Sequence, residues 1–76
     1  MERELQTYYD NRFGMFATEG WTQFIEDAQA IKDTISIDNL KTAEELWFAK
    51  GQMDILNWVI NLKTASEQAY DELTNA

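Results

Sequence analysis

The sequence predicts an all-α chain, and three observations carry that expectation. Proline is absent from its 76 residues, glycine occurs only at positions 14, 20 and 51, and apolar residues recur at three- and four-residue spacings. No alternating pattern runs for more than a few residues, so no strands are expected. The predicted architecture is an antiparallel helical hairpin with an additional N-terminal helix, a three-helix mini-bundle. It forms a single domain over residues 1–76, with helices at approximately 2–16, 19–36 and 42–74.

The first helix rests on Leu5, Tyr8, Tyr9, Phe13 and Phe16, which lie along one helical stripe. Glu2 and Glu4 at its start suit the positive end of a helix dipole. The second helix has the cleanest stripe in the chain: Trp21, Phe24, Ile25, Ala28, Ile31 and Ile35. At about 100° per residue, the two stripes point in directions that differ by roughly 110°. A break or sharp kink near residues 14–20 reconciles them, with Thr18 as N-cap and Glu19 in the following first turn. A continuous helix that meets different partners along its length is the alternative.

Residues 36–41, SIDNLK, read as a turn around Asp38 and Asn39, whose side chains bond their own backbone. Thr42 with Glu45 then fits a capping box, and Asp38 is a competing cap one turn earlier. From Ala43 to Leu73 only Gly51 interrupts the helical pattern, which makes a rod of about 45 Å at ~1.5 Å per residue. The acidic residues of its last turns, Glu67, Asp71 and Glu72, lie at the negative end of the helix dipole, so the end is expected to fray.

That long helix has two apolar faces. One stripe runs through Trp47, Gly51, Ile55, Trp58 and Leu62 and continues through Ala65, Ala69 and Leu73, with Phe48 and Val59 at its edge. Its heptad-like spacing and small residues make it the expected seam against the first two stripes. Gly51 is expected there as a point of close approach by Phe24 or Trp21. The second group is Leu46, Ala49, Met53, Leu56 and Ile60. Residues 2–16 folded back over this group would bury it within the chain. The supply of apolar side chains from residues 5–35 is short for covering both faces, which favours another protein as the cover. Leu46, Met53, Leu56 and Ile60 are therefore the candidate partner interface, for self-association or for docking on a larger protein.

The composition excludes several function classes. There is no cysteine or histidine, hence no disulfide, thiolate metal site, imidazole base or catalytic triad. No phosphate-binding glycine loop occurs. Adjacent carboxylates such as Glu26–Asp27 and Glu44–Glu45 diverge on a helix and do not share a site. No enzyme activity, cofactor or small-molecule substrate is expected. With 14 acidic against 6 basic residues the net charge is -8, so neither direct nucleic-acid binding nor attraction to an anionic membrane is expected. The same charge supports a different possibility, a carboxylate array that mimics nucleic acid, although the acids are spread from Glu2 to Glu72. Residues 1–20 lack the basic flank and apolar run of a secretory signal, and no window approaches the roughly 20 apolar residues of a membrane span.

The patterns FATEGWTQFIEDAQAI at Phe16–Ile31 and LWFAKGQMDILNWVINL at Leu46–Leu62 carry a resemblance. An acidic chain with a TEGW helix start and a KGQ-x-D-I-x-x-W centre resembles small helical proteins encoded near the structural genes of tailed bacteriophages. The resemblance covers about half the chain and implies a phage origin, with a place in the virion or its assembly; the expected location is the virion or the host cytoplasm. No catalytic or binding residues are established for that group, so none transfer. The expected function is a non-enzymatic structural or protein-interaction component. The alternative is an acidic phage-encoded inhibitor of a host nucleic-acid-binding protein or polymerase.

Overall fold

A computed structural model describes residues 1–75 of the chain. It is all-helical: α1 spans Arg3–Phe16, α2 Glu19–Asp33, α3 Ala43–Ile60 and α4 Leu62–Thr74, with no strand among the described residues. The helix count is four rather than three. The expected 42–74 helix is divided at Asn61, and the third-helix-over-hairpin layout is replaced by two broken arms lying side by side.

The break between α1 and α2 falls within the expected window, and Thr18 makes it. Its hydroxyl donates to the Met15 carbonyl at 2.7 Å, closing α1, and accepts from the Trp21 amide at 3.1 Å, opening α2. A single side chain thus satisfies orphan groups of both helix ends. Helix α2 stops three residues short of the expected position 36. The Thr34 hydroxyl and amide both turn back to the Ile31 carbonyl, at 2.6 and 3.1 Å, and this tightens the last turn.

The Leu40 amide donates to the Ile37 carbonyl at 3.2 Å, which places Asp38 and Asn39 at the centre of the turn. Thr42 caps α3 as expected, accepting from the Glu45 amide at 3.1 Å. The Glu45 carboxylate reaches one residue further back than the capping box requires, accepting from the Lys41 amide at 2.9 Å.

At Asn61 the backbone departs from helical values, with φ -94° and ψ 3°. Its side-chain amide donates to the Asn57 carbonyl at 2.8 Å, competing for a group that the helix ladder also uses. The ladder nevertheless continues across the residue, with Asn61 N–H donating to Asn57 at 3.0 Å and Ala65 N–H donating to Asn61 at 2.9 Å. Helices α3 and α4 therefore form one slightly interrupted rod of about 48 Å, close to the 50 Å longest dimension of the molecule.

Against this rod α2 packs on α3 and α1 packs on α4. The two arms form a layer 17 Å deep, against roughly 10–12 Å for one helix with its side chains. The radius of gyration is 16.3 Å, where a compact chain of this length has about 11 Å.

An aromatic ladder runs up the first arm, each ring touching the next: Tyr8, Tyr9, Phe13, Phe16, Trp21 and Phe24. It crosses the helix break through the Phe16–Trp21 pair, whose centroids are 4.9 Å apart. Tyr70 of α4 inserts against this ladder, 5.3 Å from both Tyr9 and Phe13, and hydrogen-bonds Gln6 at 3.1 Å. These contacts tie α4 to the middle of α1. The buried side chains are few: Phe16, Ala28, Ala49 and Ser66. Among the described residues no large side chain is fully buried.

Candidate protein-interaction face

The two apolar faces of α3 exchange the roles expected of them. Ala49 is buried, and Met53, Leu56 and Ile60 are half-buried. They occupy the side turned toward α2, whose own buried residue is Ala28. Two alanines at the helix–helix contact permit a close approach that the Trp47 side, carrying large rings, does not. Leu46 stands at the rim, 43% exposed, and lines a hollow with Met53, Ile37 and Trp47. Leu56 lies across the helix in a different groove, beside Ile35. The four residues expected as a partner interface are therefore divided: three face the chain's own first arm, and α2 rather than α1 supplies the cover.

The stripe expected as the internal seam separates at Asn61. Its α4 portion is partly used, since Leu62 and Ala69 are half-buried. Its α3 portion is mostly left in water, although Trp47, Phe48 and Ile55 also line a groove shared with Ile31 and Ile35. Trp47, Phe48, Ile55 and Trp58 are 66, 70, 65 and 62% exposed. At about 100° per residue this group is centred roughly 160° around the helix from the buried side. Gly51 lies among them, and a Cβ built on it meets nothing within 4 Å, so neither Phe24 nor Trp21 approaches it.

This outward face extends onto α2. Ile31, Ile35, Phe48, Gly51, Ile55 and Leu56 line an open groove of about 1120 Å³ between the two helices. Ile31 is itself exposed, as is Phe24 two turns earlier on the same face of α2. Fully burying a large apolar side chain contributes about 1.5–3 kcal/mol. With two-thirds of each surface still in water, the four large residues of α3 leave about 4–8 kcal/mol unrealised.

The surface of the whole molecule agrees. It exposes 5969 Å², whereas a compact 8.9 kDa monomer exposes about 4800 Å². The excess is about 1150 Å², larger than the roughly 800 Å² per partner of a standard protein interface.

Polar chemistry is sparse around this face. Lys50 sets its ammonium 5.4 Å above the Trp47 ring, an exposed cation–π contact at the margin. Among the described residues no three carboxylates gather closely enough to hold a metal ion, and no helix is long and apolar enough to cross a membrane. The sequence signal for this site was present in the periodicity of Trp47, Gly51, Ile55 and Trp58. Tyr70, which ties α4 to α1, and the buried Ser66 carried no comparable signal, because the stripe runs through their neighbours Ala65 and Ala69.

Comparison with protein-family models, with curated proteins and with solved structures finds no match to this chain.

Proposed function

We propose that the protein is a non-enzymatic interaction component that works through the outward apolar face of α3, and that its setting is a phage virion or virion assembly. The observation that carries the first part is the exposure of Trp47, Phe48, Ile55 and Trp58 on one side of one helix, in a chain with almost no buried core. An apolar face of this size on a thin helical layer has the composition of an interface centre, rich in aromatics and poor in charge. The phage setting rests on the resemblance of the Phe16–Ile31 and Leu46–Leu62 patterns.

Changing Trp47 and Ile55 together to lysine tests the proposal. Both side chains are about two-thirds exposed, so helix content measured by circular dichroism is expected to hold while association is lost. A wild-type chain that stays monomeric at every concentration and binds no virion protein encoded beside it would overturn the proposal.

The net charge of -8 favours a second possibility, an acidic inhibitor seated in a basic groove of a host protein. Salt separates the two. Charge-driven binding collapses between low and high ionic strength, whereas burial of the α3 face does not.

A further inference from the structure

We infer that the outward face of α3 is covered by the same face of a second copy, running antiparallel, with Gly51 of each chain receiving Ile55 of the other. This rests on the interaction role proposed above and names its partner.

Area is the first reason. The chain carries about 1150 Å² more surface than a compact protein of its mass, and a stable dimer buries roughly 800 Å² on each side. A single isologous contact of that size therefore accounts for most of the excess. A face that pairs with itself also closes the assembly at two copies, leaving no repeated edge to propagate.

Shape is the second. Gly51 is a notch between bulky neighbours, and the space a Cβ would enter is empty. In a heptad-like seam each large side chain needs a hole on the facing helix. Parallel copies in register would set Gly51 against Gly51 and each tryptophan against its own equivalent, leaving hole on hole and bulk on bulk. Antiparallel copies in a register centred on residue 53 set Ile55 into the Gly51 notch twice. The same register places Phe48 opposite Trp58, and Trp47 opposite the smaller Val59. Bulk then meets a smaller side chain at the Gly51–Ile55 and Trp47–Val59 levels, while Phe48 and Trp58 meet as an aromatic pair.

Charge is the third. Glu44 lies at one end of the outward face and Lys63 flanks the other. Antiparallel pairing brings each Glu44 to the partner copy's lysine end, while parallel pairing stacks Glu44 on Glu44. Asp54 borders the face near its centre with Lys50 one turn before it, and about 0.1 M salt screens the like charge of two copies at -8 each over roughly 10 Å.

The natural absence of cysteine makes the test direct. Two single variants, Gly51→Cys and Ile55→Cys, are prepared and oxidised separately and as an equimolar mixture. A disulfide needs Cα atoms about 4.4–6.8 Å apart, so the mixture is expected to yield the 51–55 cross-linked dimer and each variant alone little. Efficient self-cross-linking of Gly51→Cys would mean parallel chains and overturn the inference. A second pair of variants needs no cross-link. Gly51→Ile alone fills the notch and is expected to weaken association by about tenfold or more. Adding Ile55→Gly, which exchanges knob and hole, is expected to recover most of that loss. No recovery, with helix content intact, would also overturn it. A wild-type chain that is monomeric yet docks on a virion protein through Trp47 and Ile55 removes the dimer and leaves the interaction role standing. A monomer that docks on nothing removes both.

Discussion

Replacing Tyr70 by alanine removes the wedge that holds α1 against α4, and the size of the effect follows from its contacts. Truncating a fully buried aromatic to alanine costs about 3–5 kcal/mol. Tyr70 is half-buried, so roughly 2 kcal/mol belongs to lost burial. Its ring also makes edge contacts with Tyr9 and Phe13, each at 5.3 Å, and such pairs contribute about 0.5–1.5 kcal/mol beyond burial. The hydrogen bond to Gln6 adds about 1 kcal/mol. Because these terms overlap, a total near 3 kcal/mol is expected. The loss should be local, since Tyr70 touches α1 whereas α2 packs on α3. Native-state hydrogen exchange resolves this: protection across residues 5–16 is expected to fall about 100-fold, with residues 46–60 little changed. Tyr70→Phe, which keeps the ring and loses only the hydroxyl, should lower protection in α1 by about 1 kcal/mol. Equal loss of protection in α1 and α3, or none in α1, would refute the division of the molecule into two packed pairs.

Three further substitutions probe other parts of the fold. Thr42→Ala removes the α3 cap and should lower the urea midpoint by an amount equivalent to about 1 kcal/mol. Ala49→Leu overfills the α2–α3 contact, where both helices present alanine, and should destabilise by about 1–3 kcal/mol in the same assay. Gly51→Ala should raise dilute-solution thermal stability by up to ~1 kcal/mol, because its Cβ enters open space. The same variant should associate more weakly by sedimentation, since the methyl occupies the notch meant for Ile55.

Local chemistry was the most legible part of the sequence. Thr18 and Thr42 were readable as caps because a hydroxyl ahead of an apolar periodic run has a specific orphan amide to satisfy, and both make that bond. The change in stripe direction located the α1–α2 break to within a few residues. Asn61 was harder to read, since a single asparagine within a long helical pattern only interrupts the rod without ending it. Periodicity identified two apolar faces on α3 but carried no sign saying which one turns inward. Both are apolar, and the bulkier one attracts the expectation of a core. The choice is made by tertiary contact instead. Ala49 lets α2 come close, and the outward tryptophans remain in water. Leu46, Met53, Leu56 and Ile60 consequently became a shared inner edge, and the candidate interface moved to Trp47, Phe48, Ile55 and Trp58.

Sedimentation equilibrium of the unmodified chain over a wide concentration range, beside the Trp47→Lys/Ile55→Lys variant, measures the role of the outward α3 face most directly. The wild type is expected to rise from the 8.9 kDa chain mass to twice that value, with Trp47 and Trp58 emission moving to shorter wavelength as the rings leave water, while the variant stays at the chain mass with unchanged helix content. A wild type that remains at 8.9 kDa throughout, with both indoles still emitting as solvent-exposed, would contradict pairing of this face with itself.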